Sequence, residues 1–263
     1  MFAKTSSSSS DVASEKCRSL DASMSDYYNK KFGPPLFVRE RPSRLMFGVE
    51  EYNPLWPSYF KKIKSDLASD LADEGVSYLA IEHIGSTAVP GLLSKSIVVV
   101  DPCSDLIPQL LFKPQAMIDV CIIIAPEDFN DDKLKQIDDA LGWGRRQGGY
   151  RYIGDGGVQD RWSFKLEGVT PLRSVYVVAE GSIPLRAYRS LRDTLRVDAE
   201  LRDEYARVKV ELVKNYYNHI MDYCKRKRPT IRKIFIKAGW THEEVDEAER
   251  QATREVAEQY VEL

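Results

Sequence analysis

Residues 81–95 read IEHIGSTAVPGLLSK, and this stretch decides how the rest of the chain is read. The preceding residues VSYLA extend its apolar start, so 76–84 has the pattern of a strand that ends in Glu82 and His83. Gly85, Ser86, Thr87 and then Pro90-Gly91 follow, and a hairpin needs fewer small and turn-forming residues than these. Glycine lets the backbone come close to an anion, and a serine hydroxyl beside exposed N–H groups donates to one. A strand running into Gly85-Ser86 therefore suits phosphate binding, with Lys95 placed to neutralise phosphate charge or to cap the loop.

The stretches on either side follow helical and strand periods. Upstream, Trp56, Tyr59, Phe60, Ile63, Leu67 and Leu71 recur at helical spacing, with Pro54 and Pro57 at the first turn. Downstream, residues 116–125, AMIDVCIIIA, form a nearly continuous apolar run, the pattern of a strand buried on both faces and interrupted by Asp119. A helix is expected after it, capped by Asn130 or Asp131. Residues 148–154, 161–168 and 173–180 alternate like strands of an antiparallel sheet. From Pro184 on the pattern is helical, in three apolar stripes, and THEE at 241–244 has the form of a capping box that opens a charged C-terminal helix. The order of elements predicts an α+β fold. Residues 1–45 are serine-rich and poor in large apolar side chains, so burial cannot offset their ordering entropy and they are expected to be a disordered tail and linker.

Composition excludes several classes. A net charge of −2 rules out a globally basic nucleic-acid binder. No apolar run approaches the roughly 20 residues a membrane-spanning helix requires. The four cysteines are scattered without a Cys-x-x-Cys pair, and no apolar signal segment follows the first lysine, so a cytoplasmic, reducing setting is expected. The three histidines lack the spacing of a structural zinc site.

The string HIGSTAVPGL followed by lysine resembles the signature of the GrpB-like family, which has the nucleotidyltransferase fold. The likeness extends to YNPLWPSYF (52–60), GGYRYIGD (148–155), RWSFK (161–165), LRDTLRVDAELRDEYARVK (191–209) and YCKRKRPTIRKIFIKAGW (223–240). It implies a nucleotidyltransferase-like mixed sheet with flanking helices and a helical C-terminal region. It also implies a domain over residues 46–240, followed by a charged helix over 241–263. In the family the loop lysine is followed at once by proline and a strand bearing an aspartate. Two alignments compete for that aspartate. In one, KSIVVVD is the strand, Val99 takes the aspartate position and Asp101 is a near miss. In the other, residues 96–113 are an insertion, KPQAMID restores the pattern, and Asp119 is the family aspartate; this second alignment is favoured.

The resemblance implies transfer of a nucleotidyl group from a nucleoside triphosphate to an unknown acceptor, with Mg²⁺ as cofactor. Asp119 and Glu82 would be the metal ligands, and Asp119, Ser86 and Glu82 the catalytic set. His83, Gly85, Ser86, Thr87, Lys95, Arg161, Lys165, Arg192 and Arg196 would form the phosphate or nucleotide site. Each has a plainer alternative: a salt bridge from Asp119 to Lys95 or Arg161, a structural role for His83, a solvated strand-end acid for Glu82, and ion pairing of Arg192 and Arg196 with Asp193 or Glu200. The position two residues after Asp119, where these enzymes usually carry a second acid, is Cys121. That departure favours as runner-up a non-catalytic binder of a nucleotide or other phosphorylated small molecule. KRKR at 225–228, near Tyr216, Tyr217 and Tyr223, suggests RNA as a third partner class.

Overall fold

A computed structural model describes residues 45–99, 116–142, 149–166, 169–217 and 220–252. Its described part is α+β. Five strands form one mixed sheet in the order β2-β4-β7-β6-β5: β2 (Ala80–Ile84), β4 (Ile118–Ile124), β5 (Arg151–Tyr152), β6 (Arg161–Leu166) and β7 (Arg173–Ala179). Only β4 and β7 are parallel; the β2–β4, β5–β6 and β6–β7 pairs are antiparallel. A second sheet of three strands, β3-β1-β8, joins β1 (Leu45–Glu50), β3 (Ser94–Val99) and β8 (Tyr216–Tyr217).

Sheet alternation separates two chemistries. On β4, Ile118, Val120, Ile122 and Ile124 enter the main core. There they meet Ile63, Leu67 and Leu71 of α1 (Trp56–Asp73) and Leu134, Ile137 and Leu141 of α2 (Asp131–Leu141). The opposite face carries Asp119, Cys121 and Ile123. α3 (Ile183–Val197) covers part of that face, where Leu185 and Tyr188 pack on Ile84, Cys121, Ile123 and Val178. α4 (Ala199–Leu212), α5 (Ile220–Lys237) and α6 (His242–Gln251) complete the helical region. Leu195, Tyr205, Ile234, Phe235, Trp240 and Val245 form its core. The charged C-terminal segment thus contributes packing as well as charge.

Caps follow the sequence pattern. Asn130 accepts from the Lys133 N–H at the start of α2, and Thr241 and Glu244 make the reciprocal capping box of α6. Strands β1, β3 and β8 depart from it. β1 begins at Leu45, the last residue of the expected linker, and opens the expected domain with a strand that the sequence pattern did not show. Residues 96–99, the beginning of the expected insertion, pair with β1 as part of β3. Both strands proposed as bearers of the family aspartate therefore exist, in different sheets. The serine-rich tail, Asp101, residues 100–113 of the expected insertion and the end of the C-terminal segment lie outside the described residues. No described helix is long and apolar enough to cross a membrane.

Candidate functional site

β2 delivers the glycine loop to the end of the five-stranded sheet, beside β4. Gly85 has φ +71°, a conformation that L side chains rarely adopt. A Cβ built there would lie 2.4 Å from Asp119 Oδ2. The glycine is thus required twice, by its backbone and by the carboxylate packed against it. Ile84 pairs with Asp119 across the β2–β4 ladder, which brings the loop and the acid together. Asp119 therefore faces Gly85, as the second alignment expects.

Ladder register places Ser174 and Tyr176 of β7, and Arg161, Ser163 and Lys165 of β6, on the same face as Asp119. The Tyr176 hydroxyl donates to Asp119 Oδ1 at 3.4 Å. The Arg161 guanidinium lies 4.8 Å from the Tyr176 ring centroid and donates to the Tyr188 hydroxyl and to the carbonyls of Asp155 and Gly156. Burial pushes the Asp119 carboxyl up to about 6, against the pull of Lys95 and Lys227. Arg161 and Lys165, both expected in the phosphate site, thus share the face of Asp119.

Three lysines from three other elements complete the site. Lys95 of β3 sits 4.7 Å from the Phe47 ring centroid and 5.9 Å from that of Tyr223. Lys227 of α5 lies 4.8 Å from the same Tyr223 ring. Lys209 of α4 is 1% exposed. It donates to Ser86 Oγ at 3.0 Å and to the Leu93 carbonyl, and lies 4.7 Å from the Tyr205 ring centroid. Burial, then the charge of Lys227, lowers the pKa of Lys95 to about 8 and that of Lys209 well below its ordinary value. Buried Lys133 offers a contrast: it reaches Asp128 at 3.2 Å and is neutralised. None of the described partners just named for Lys209 is a carboxylate.

Other expected site residues serve the loop rather than the open face. Glu82 is locked by α3, accepting from Arg189 at 2.7 Å and from Arg192 at 2.7 Å. Burial raises its pKa, but the hydrogen bonds and charges of the two arginines more than offset this and leave it below the usual range. Arg192 also donates to the His83 carbonyl and to Asp193, and Arg196 donates twice to the Ala88 carbonyl. These two arginines fasten both sides of the glycine loop. The expected ion pair with Asp193 is present, and both arginines also grip the backbone of the loop. His83 points to the other face of the sheet, stacked on Phe60 at 4.7 Å and hydrogen-bonded to Thr87 Oγ1 at 2.9 Å. Burial, then Arg196 and Arg192, push it down to about 4, so the imidazole is neutral at pH 7. Thr87 is 1% exposed and engaged with it.

Glu82→Gln is expected to cost about 2 kcal/mol of stability, the scale of a charged hydrogen bond lost with its partners left in place. Urea unfolding checks this; an unchanged midpoint would mean that Arg189 and Arg192 do not depend on Glu82.

The donor set also tests the implied metal. Among the described residues no group of three or more His, Cys, Asp or Glu side chains could hold an ion. Asp119 brings one carboxylate, in the field of Lys95 and Lys227. Glu82 is consumed by two arginines. Cys121 is a buried thiol pushed far up by desolvation, and it is soft where Mg²⁺ prefers oxygen. These residues do not fit a magnesium ion held by the protein.

Sequence reasoning left Lys209 and Lys227 out of the site. Lys209 follows Tyr205 by one helical turn, inside the apolar stripe of Leu201, Tyr205, Val208 and Leu212; a lysine on that stripe was the available signal. Lys227 sits in the KRKR run, whose four residues share one charge signal. Arg226, from the same run, turns to the Tyr217 ring instead.

A family model described as GrpB protein matches residues 47–102 and 104–237. UPF0157 protein SCO7215 of Streptomyces coelicolor is 28% identical over 202 residues, covering 75% of this chain and 87% of that one. UPF0157 protein BH1888 of Halalkalibacterium halodurans is 25% identical over 202 residues, covering 76% and 87%. A crystal structure of the conserved protein GrpB from Enterococcus faecalis aligns with a TM-score of 0.49 at 20% identity, covering 72% of this chain and 99% of that one.

Proposed function

Since the chain belongs to the GrpB family, we propose that the Gly85–Ser86 loop and the lysines beside it bind the phosphates of a small molecule, a nucleoside triphosphate or a close chemical relative. One observation carries this reading: Lys209 is buried against Ser86 of the loop, Lys95 and Lys227 share the Tyr223 ring and act on the charge of Asp119, and the partners named for the three lysines are rings, a hydroxyl and a carbonyl. Burying a cationic group such as Lys209 among neutral partners is costly, and an anionic ligand supplies the missing charge. Ser86 Oγ, held by Lys209 at 3.0 Å, is half-buried and positioned to donate to a phosphate oxygen. The Tyr223 and Phe47 rings lie against Lys95, and Tyr223 also lies against Lys227, which favours their ammonium groups at this side of the site.

Isothermal titration calorimetry with a panel of nucleoside triphosphates, with EDTA and with Mg²⁺, tests the reading. Saturable binding of at least one supports it; absence of binding in both media, for every member, overturns it. A shift with transfer RNA alone would move the assignment to an RNA-contacting module.

Affinity should depend on pH in a defined direction. Lys95 is cationic below about 8 and Asp119 is anionic above about 6. An anion binds best with Lys95 charged and Asp119 neutral, so affinity should fall as pH rises through 8. Between pH 7 and pH 9 the expected loss is about tenfold, with proton uptake on binding at the upper end. Flat affinity across that range would remove Lys95 from the contact set.

Nucleotidyl transfer is the second reading, favoured by one feature: the carboxylate of Asp119 packs directly on Gly85, where a reacting phosphate would lie. Radiolabelled nucleotide transfer to a mixed acceptor pool, lost in Asp119→Asn, tests it.

A further inference from the structure

We propose that the ligand of this site is a metal-free polyphosphate or multiply phosphorylated small molecule, with Lys95, Lys209 and Lys227 in the place that a divalent cation takes elsewhere. The inference rests on the phosphate-binding reading above and goes further by naming how the ligand's charge is met.

The argument is one of charge and donor type. Asp119 shares its face of β4 with Cys121, two residues on. Glu82 lies across the ladder from Cys121, but both its oxygens already accept from Arg189 and Arg192. A magnesium ion needs near-octahedral oxygen ligation and dehydrates reluctantly. Here it would meet one carboxylate and several ammonium groups. The ammonium groups are also preorganised. Tyr223, fully buried, has Lys95 at 5.9 Å and Lys227 at 4.8 Å from its ring. Lys209 is fixed by Ser86 Oγ, the Leu93 carbonyl and the Tyr205 ring. Such cations lose little conformational freedom on meeting a phosphate chain, and they match its charge at several points along its length. A magnesium-chelated chain brings two fewer net negative charges into the site and adds a dication that the lysines repel. In this arrangement Asp119 also repels the bare ligand.

Two consequences have opposite signs from those of a metal-bridged site. Mg²⁺ should weaken binding or leave it unchanged, and neutralising Asp119 should strengthen it. The test is calorimetry of the full chain with inorganic tripolyphosphate and with ATP. Titrations are run in EDTA and in excess MgCl₂ at matched ionic strength, and repeated with Asp119→Asn and Lys227→Gln. Melting curves of both variants establish that each is folded. The expected result is a Kd in EDTA equal to or at least threefold tighter than in Mg²⁺. Asp119→Asn should tighten binding in EDTA by about threefold or more, and Lys227→Gln should weaken it by about tenfold. Binding that requires or is tightened by Mg²⁺, or that disappears in Asp119→Asn, overturns the inference and leaves the phosphate site standing. Absence of binding by any phosphorylated probe in either medium overturns both.

Discussion

Gly85→Val is expected to abolish phosphate binding and to lower the melting temperature by roughly 10 °C. Two costs add at this one position. A β-branched residue at φ +71° is held in a conformation it disfavours, a strain of about 1–3 kcal/mol. Its Cβ would also stand 2.4 Å from Asp119 Oδ2, with the Asp119 Cβ and Cγ at 3.2 Å. The carboxylate belongs to a central strand paired on both sides, so it cannot withdraw without disturbing the β2–β4 or β4–β7 ladder. Either the loop lifts away from Ser86's place beside Lys209 or the acid rotates off Tyr176. Both outcomes dismantle the site. Gly85→Ala, with the same clash and no branching, should show the same changes at smaller size. Differential scanning calorimetry and ATP titration check the pair; a valine variant with normal binding would mean that the loop relaxes freely and that the close packing is incidental.

Lys209→Met should do the reverse to stability while also abolishing binding. Methionine has similar length and flexibility and brings no charge into a position that is 1% exposed. Removing the desolvation of an ammonium group whose described partners are neutral is expected to stabilise the free protein by about 1–2 kcal/mol, in line with buried charges replaced by apolar side chains. That corresponds to a melting temperature raised by roughly 4 °C. ATP affinity should fall at least a hundredfold, about 2.7 kcal/mol. Gain of stability with loss of binding is the pattern of a residue kept for its ligand. If Lys209→Met instead melts lower and binds normally, the lysine is a structural post for the Leu93 carbonyl and Ser86, and the ligand lies elsewhere.

The sequence and the structure agree where a single local rule operates. The period of Ile63, Leu67 and Leu71 defines the buried stripe of α1 without help from the rest of the chain. Thr241 and Glu244 announce a capping box because its two bonds span three residues. Asp119 was recognisable because a carboxylate stands out in an apolar run. What the sequence left obscure depends on distant pairing. β1 carries Gly48 and has few residues, and its strand character comes from partners at 94–99 and 216–217. Glu82 reads as a free strand-end acid until α3, a hundred residues away, brings Arg189 and Arg192 onto it. Arg192 and Arg196 are indeed one turn apart, as a phosphate grip requires, yet the same spacing lets them take the His83 and Ala88 carbonyls. Lys209 and Lys227 gain meaning only when two helices fold back over the loop.

The pairing of β1 with both β3 and β8 also sets an order of assembly. As the chain leaves the ribosome, β1 emerges first of the described strands and finds β3 within about fifty residues. Its other edge remains open until Tyr216 and Tyr217 appear. Closing so long a loop is entropically slow, and an open strand edge is a surface on which nascent chains join one another. Lys209 and Lys227 flank that closing strand in sequence, so the site gains its charge at the same late moment that the edge is covered. A metabolite held by those lysines would then act on synthesis as well as on the finished protein, favouring chains that have closed over those still exposed to aggregation.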